Sequence, residues 1–223
     1  MTVKLFIQAI TKMTLGIILV GLLIFLPAGT FLFSNGWILM ALLFIPMLIA
    51  GVIMMFKNPE LLKRRLNSKE QQKEQRLVVV FSGLMFILGF IVAGLDFRFG
   101  FSNIQNGVII TAVFVFLFAY LLYARVIKEN MYLSRTIEVQ KNQKVIDTGL
   151  YSIVRHPMYT ATILLFLSIP IILGSFWSFL IFLLYPIIIV KRIKYEEQFL
   201  ESELEGYKKY KSKVKYRLIP FMW

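Results

Sequence analysis

Residues 157–190 form an apolar run of 34 residues without a single charge, and polar clusters stand at both of its ends. As one helix this run would extend about 51 Å, far more than the roughly 30 Å hydrocarbon core of a bilayer. Two helices of about 15 residues each, broken at Gly174-Ser175, fit the constraint better. Such a hairpin returns the chain to the face it left. It therefore brings Arg155 and His156, which precede the run, towards Arg192, Glu196 and Glu197, which follow it. A shallow re-entrant hairpin is the competing geometry.

The charge distribution supports two crossings. Of 25 Lys and Arg, all but Arg98 fall in the N-terminal segment or in residues 57–76, 125–155 and 191–217, each beside an apolar stretch. A single crossing would set the nine basic residues from Lys191 onward opposite the other basic segments, against the positive-inside rule. Further spans are expected at residues 14–33, 37–56, 77–95 and 107–124, the first two joined by an uncharged turn. Pro46 falls inside the second span, where membrane helices tolerate it. At 58% hydrophobic and 17% charged, the composition is far from the roughly 25% charge of soluble domains. The expected fold is all-α: a polytopic membrane helix bundle of about six membrane segments, the last two a short hairpin. Residues 1–125 would hold the N-terminal spans with the basic connector 57–76. Residues 126–223 would form a catalytic region whose C-terminal helix, residues 192–210 broken at Gly206, closes a pocket. Both termini and the catalytic side are expected to be cytoplasmic, and the N-terminus reads as a first span, not a signal peptide.

Several classes of function are disfavoured. The chain has no Cys and one His, which excludes thiolate chemistry and argues against zinc. The net charge of +13 is gathered at span ends, a pattern suited to anionic lipid, at about 1 kcal/mol per basic residue, and not to nucleic acid.

His156 lies between Arg155 and Pro157, with Tyr151 and Tyr159 close by. Pro157 suits the first turn of a helix, whose free N–H groups and dipole favour an anion such as a cofactor carboxylate. A plain interfacial histidine is the simpler alternative. Arg192 and Glu196 share a helix face at i, i+4, as an ordinary surface pair also would. Glu197 points about 100° further round, within reach of Lys194. Ionisable groups at membrane depth are functional candidates by default. Tyr207 and Tyr210, with Trp223, read as an interfacial aromatic belt, and Gly83 and Gly89 as sites of close helix packing.

The order Gly149, Tyr151, Arg155, His156, Pro157, Tyr159, then Arg192, Glu196, Glu197, then Gly206, Tyr207, Tyr210, Arg217 and Pro220 resembles the isoprenylcysteine carboxyl methyltransferase family. These are integral-membrane enzymes related to phospholipid methyltransferases, and the resemblance covers residues 130–223. It implies S-adenosylmethionine as cofactor, bound without a Rossmann domain; the chain indeed has no G-x-G-x-x-G turn. It further implies that Gln140, Gln143, Lys144, Val145, Ile146 and Tyr151 contact the cofactor. His156, Pro157, Met158 and Tyr159 would form the pocket's core, with Glu196 closing it. Arg192 would hold a substrate carboxylate and, with Glu196, form the catalytic pair. The chain is several residues shorter than the eukaryotic pattern between Gln140 and Gly149, which loosens the alignment of residues 143–146.

The implied activity is methyl transfer to a lipophilic acceptor arriving from the bilayer, foremost the carboxylate of an isoprenylcysteine-like substrate. A carboxylate is ionised at neutral pH and needs alignment, not a general base. The alternatives are N-methylation of a phospholipid or amine with Glu197 or His156 as base, an NADPH-dependent reductase of the sterol-reductase type, and a non-catalytic membrane adaptor. Reductases of that type usually carry Asn where this chain has Met158.

Overall fold

The break expected inside residues 157–190 is present, and it sets the depth of the bundle. A computed structural model describes residues 3–67, 73–134 and 136–223, and every regular element among them is helical. The order is α1 (Val3–Ala28), α2 (Ser34–Lys57), α3 (Pro59–Leu66), α4 (Lys73–Phe99), α5 (Asn106–Glu129), a 3-10 turn (Gly149–Ser152), α6 (Pro157–Ile172), α7 (Phe176–Phe182), α8 (Leu184–Glu203) and α9 (Tyr207–Lys213). Five elements are long and apolar enough to cross a membrane, α7 and α8 counting as one element, Phe176–Glu203. The 16-residue α6 is a shorter apolar sixth. The chain is thus a multi-pass membrane helix bundle.

At the turn between α6 and α7, Gly174 takes a φ of 77° and the Ser175 hydroxyl caps α7 by accepting from Ser178 N at 3.1 Å. The same hydroxyl donates to Asp96, near the end of α4. At the other end of α4, Gln75 Nε2 lies 3.5 Å from the Arg192 carbonyl, on α8. Gln75 and Asp96 are 21 residues apart on one helix (96 minus 75), or about 31 Å. The returning arm of the hairpin, α7 and α8, thus runs beside α4 over a length comparable with the thickness of a hydrocarbon core.

Helix α4 is central, packed by α1 on one side and by α7 and α8 on the other, while α5 packs chiefly on α6. Small residues permit these approaches. A Cβ on Gly94 would stand 2.5 Å from the Ile24 carbonyl of α1, and the Phe182 ring fills the space beside Gly89. Gly83, also expected to be a packing position, has nothing within 4 Å. No helix approaches α4 closely enough at that position to need a glycine.

The helices overrun the apolar spans on the basic side. α1 starts at Val3, and Lys12 extends to donate to the Leu66 carbonyl at 2.5 Å. α5 continues to Glu129, whose carboxylate pairs with Arg125 at 2.6 Å. The connector 57–76 holds α3, capped by Asn58 with Pro59 at its first turn and Leu61 and Leu62 buried beneath it; residues 68–72 lie outside the described part.

Candidate active site

The hairpin returns α8 beside the start of α6, and the residues meeting there divide into two groups. One surrounds Glu197, which is 2% exposed. Its Oε1 lies 2.7 Å from Arg155 Nε and 3.3 Å from His156 Nε2; its Oε2 lies 3.1 Å from Arg217 Nε and 3.6 Å from Lys211 Nζ. Lys194, the partner suggested by helical spacing, is not among these. Burial beside Ile189 and Ile193 turns Glu197 inward, where only groups from other segments reach it.

The C-terminal segment is laced to the same point. Arg155 N and His156 N donate to the carbonyls of Tyr216 and Arg217, both at 2.9 Å. Arg155 Nη1 donates to Val214 O at 2.5 Å, and Thr160 Oγ1 to Leu218 O at 2.8 Å. Arg217 also lies over the Trp223 ring, 4.9 Å from its centroid.

The second group faces a cleft of about 850 Å³, open mouth included, between the loop of residues 130–148 and α8. On its wall the Tyr159 hydroxyl donates to Glu196 Oε2 at 2.6 Å and accepts from Arg192 Nε at 2.8 Å. The i, i+4 pair of α8 is thus bridged through a tyrosine of α6. The His156 ring stacks on Tyr159 at 5.7 Å between centroids.

Ten of the twelve residues expected at the site line this one cleft: Gln143, Lys144, Val145, Ile146, Tyr151, His156, Met158, Tyr159, Arg192 and Glu196. Gln140 and Pro157 stand outside the lining. Gln140 is occupied in shaping the loop: its Oε1 accepts from Arg64 Nη1 at 2.8 Å, and its Nε2 donates to the Tyr132 carbonyl at 2.8 Å. Pro157 is buried as the first residue of α6. The N–H groups at that helix start are less available than expected, because Tyr159 N and Thr160 N both donate to the His156 carbonyl, at 3.0 and 3.3 Å.

Gly149 begins the 3-10 turn at a φ of 58°, and any side chain there would collide with the Glu129 carboxylate, which accepts from Leu150 N at 2.8 Å. That turn positions Tyr151, whose hydroxyl accepts from Asn130 Nδ2 at 3.0 Å. Burial pushes the Tyr151 hydroxyl up to about 12, so it stays protonated at any physiological pH.

The tyrosines of α9 overturn the aromatic-belt reading. Tyr207 and Tyr210 are buried and line the cleft, and Tyr210 donates to the Tyr151 carbonyl at 2.7 Å. Their spacing, i and i+3 after a glycine, puts both on one helix face, and that signal was legible. Asn130, Tyr132 and Glu138 also line the cleft, from a loop without periodicity that offered no such signal.

Fold and cleft together define a polytopic membrane protein with a polar pocket where two of its helices meet at one end of the bundle. Residues 106–205 match the family model described as phospholipid methyltransferase. The matched region is thus similar to integral-membrane methyltransferases, a group related to the isoprenylcysteine carboxyl methyltransferases. No curated protein matches the chain.

Proposed function

We propose that the protein transfers a methyl group from S-adenosylmethionine to the anionic end of a lipophilic acceptor, a carboxylate of the isoprenylcysteine type. The observation that carries this reading is the row Arg192–Tyr159–Glu196 on the wall of a cleft built where membrane helices α6 and α8 meet. The donor set fits the cofactor: Arg192, Glu196 and His156 offer charged and polar partners, Glu138 a carboxylate suited to hydroxyls, and Val145 and Leu200 an apolar wall. S-Adenosylmethionine supplies a methyl group already activated by its sulfonium. His156, Met158 and Tyr159 form the floor, and Gln143, Lys144, Val145 and Ile146 the covering wall. Tyr159 holds Arg192 through Nε and so sets its guanidinium on the cleft wall, where its charge would orient an acceptor carboxylate. Alignment and exclusion of water are the protein's main contributions, worth several kcal/mol (~7 at the low end for well-oriented reactants).

N-methylation of a phospholipid amine is the second reading, favoured by the hydrogen bond that Tyr159 donates to Glu196. That contact marks Glu196 as a proton acceptor on the cleft wall. Glu197 does not line the cleft and is engaged by four basic side chains, so the base of such a reaction would be His156 or Glu196, which both line it.

The basic segments gather at the cleft's end of the bundle, from which we infer a cytoplasmic active side that meets anionic lipid, with the acceptor's tail arriving from the bilayer. The natural absence of cysteine makes single-cysteine labelling free of background: Lys209→Cys should be protected from impermeant reagents outside the cell, and labelling there would reverse the orientation. For the activity, S-adenosylhomocysteine binding is measured by calorimetry on wild type, His156→Ala and Glu196→Ala. Labelled methyl transfer is then offered a farnesylcysteine analogue and phosphatidylethanolamine vesicles. Binding lost in both variants and labelling of the carboxylate support the proposal. Labelling of the amine alone replaces it with the second reading, and no binding by folded wild type sinks both.

A further inference from the structure

Tyr207 and Tyr210 sit one turn apart on α9 with their rings 5.7 Å between centroids, yet their hydroxyls are used differently. Tyr210 donates to the Tyr151 carbonyl. The Tyr207 hydroxyl is buried, belongs to a side chain that is 4% exposed on the cleft wall, and finds no hydrogen-bond partner among the described residues. Buried polar groups are almost always paired, so one left unpaired on a pocket wall points to a partner that the ligand brings.

The setting narrows what that partner is. The chain leaves α8 at Leu204, turns at Gly206 with a φ of 83°, and lays α9 back over the cleft. The Tyr207 ring packs with Leu204, Val145 and Leu200, an apolar surround suited to a flat, neutral group. Burial raises the Tyr207 hydroxyl's pKa, and the nearby Glu196 and Glu197 carboxylates raise it further. The hydroxyl is therefore neutral, able to donate and accept. An adenosine offers what fits: an aromatic face for the apolar wall and uncharged polar atoms at its edge. The amino-acid end of the cofactor, which carries two charged groups, fits poorly against the apolar side chains of Leu204, Val145 and Leu200.

We infer that Tyr207 is a cofactor-binding residue whose hydroxyl hydrogen-bonds the nucleoside portion of the bound cofactor, an inference that rests on the S-adenosylmethionine reading above. The family match ends at residue 205, so Tyr207 lies beyond the region it describes.

The test compares wild type, Tyr207→Phe and Tyr210→Phe in two measurements. Calorimetric affinities are taken for S-adenosylhomocysteine and for 5′-methylthioadenosine, which keeps the nucleoside and lacks the amino-acid end. Thermal unfolding is followed without ligand. Tyr207→Phe should weaken both ligands by the same factor, roughly tenfold. It should leave the ligand-free Tm unchanged or raised, because the hydroxyl it removes has no protein partner. Tyr210→Phe should instead lower the ligand-free Tm. Unchanged affinity in Tyr207→Phe overturns the inference. So does a loss confined to S-adenosylhomocysteine, which would move the contact to the amino-acid end, or a fall in ligand-free Tm matching that of Tyr210→Phe. If wild type binds neither ligand, the cofactor reading itself has failed, and that is seen before any variant is compared.

Discussion

Two carboxylates are buried at opposite ends of this bundle, and they are held in opposite ways. Glu197, at the cleft end, is 2% exposed and surrounded by Arg155, His156, Arg217 and Lys211. Asp96, at the far end, is 3% exposed and accepts from the hydroxyls of Ser102, at 2.6 Å, and Ser175. Its other oxygen has no hydrogen-bond partner among the described residues, and Arg98, its nearest basic neighbour in sequence, lies against Gly29 instead. The partners of Glu197 come from the start of α6, from α9 and from the C-terminal tail, three segments with no local reason to meet. The partners of Asp96 come from two short turns. A cationic cage can tie distant chain together because charge–charge attraction in a dry interior is strong and indifferent to direction. A hydroxyl cage is weaker and local, and it serves to pin a turn.

The largest effect expected from this contrast is that of Glu197→Gln. The substitution leaves Arg155, itself buried, without its counter-charge, and breaking one side of a buried ion pair costs about 3–5 kcal/mol. Thermal unfolding in detergent should show a large drop in Tm. Limited proteolysis should show release of residues 205–223, since the tail meets the cleft through the same cluster. A variant with near-native Tm and a protected tail would mean that the backbone hydrogen bonds of Arg155 and His156 to Tyr216 and Arg217 suffice, and that the cage is not what holds the tail.

The two ends also differ in how far they were legible. The hairpin could be read because 34 apolar residues exceed what one crossing holds, and its return predicted that Arg192 and Glu196 come back to His156. Which of two adjacent glutamates faces the cleft was harder. It depends on the rotation of α8, and that rotation is recorded in the buried stripe Tyr185, Ile189, Ile193, Glu197, spaced by four. Taken as a helical period, the stripe marks Glu197 as the inward residue and leaves Glu196 for the pocket. The contact of Arg64 with Gln140 had no such signal, because 76 residues and two membrane helices separate them. The same holds for Asp96 with Ser175: a loop charge beside Arg98 gave no sign that the α6–α7 turn would reach it.

At the far end, Gly89→Ala should come next in size. Its Cβ would enter the Phe182 ring and shift the α4–α7 contact, a kind of overpacking that costs about 1–3 kcal/mol. The Gly89 carbonyl accepts from Ser178 Oγ at 2.8 Å, so the strain falls on the turn that Asp96 pins. Thermal unfolding with and without S-adenosylhomocysteine checks the comparison: the Tm of both forms should fall by similar amounts, because the cleft lies at the other end. A selective loss of ligand affinity would instead show that the hairpin transmits strain along its length.

Asp96→Asn should have the smallest effect, and it tests the contrast most directly. The amide keeps an oxygen that can accept from both serines, and it removes a buried charge that no cation among the described residues offsets. Against that gain, the new NH2 group takes the place of the oxygen that has no partner and inherits its lack of one. These opposed terms should leave the change within about 1 kcal/mol, and ligand affinity untouched. The value of the variant lies in its distance from Glu197→Gln: the same isosteric loss of one negative charge, at similar burial, should differ several-fold in cost because only one of the carboxylates is surrounded by cations. If unfolding shows Asp96→Asn to be as damaging as Glu197→Gln, the charge at Asp96 must be balanced by something the serines do not provide, and the two ends would be built on one principle after all.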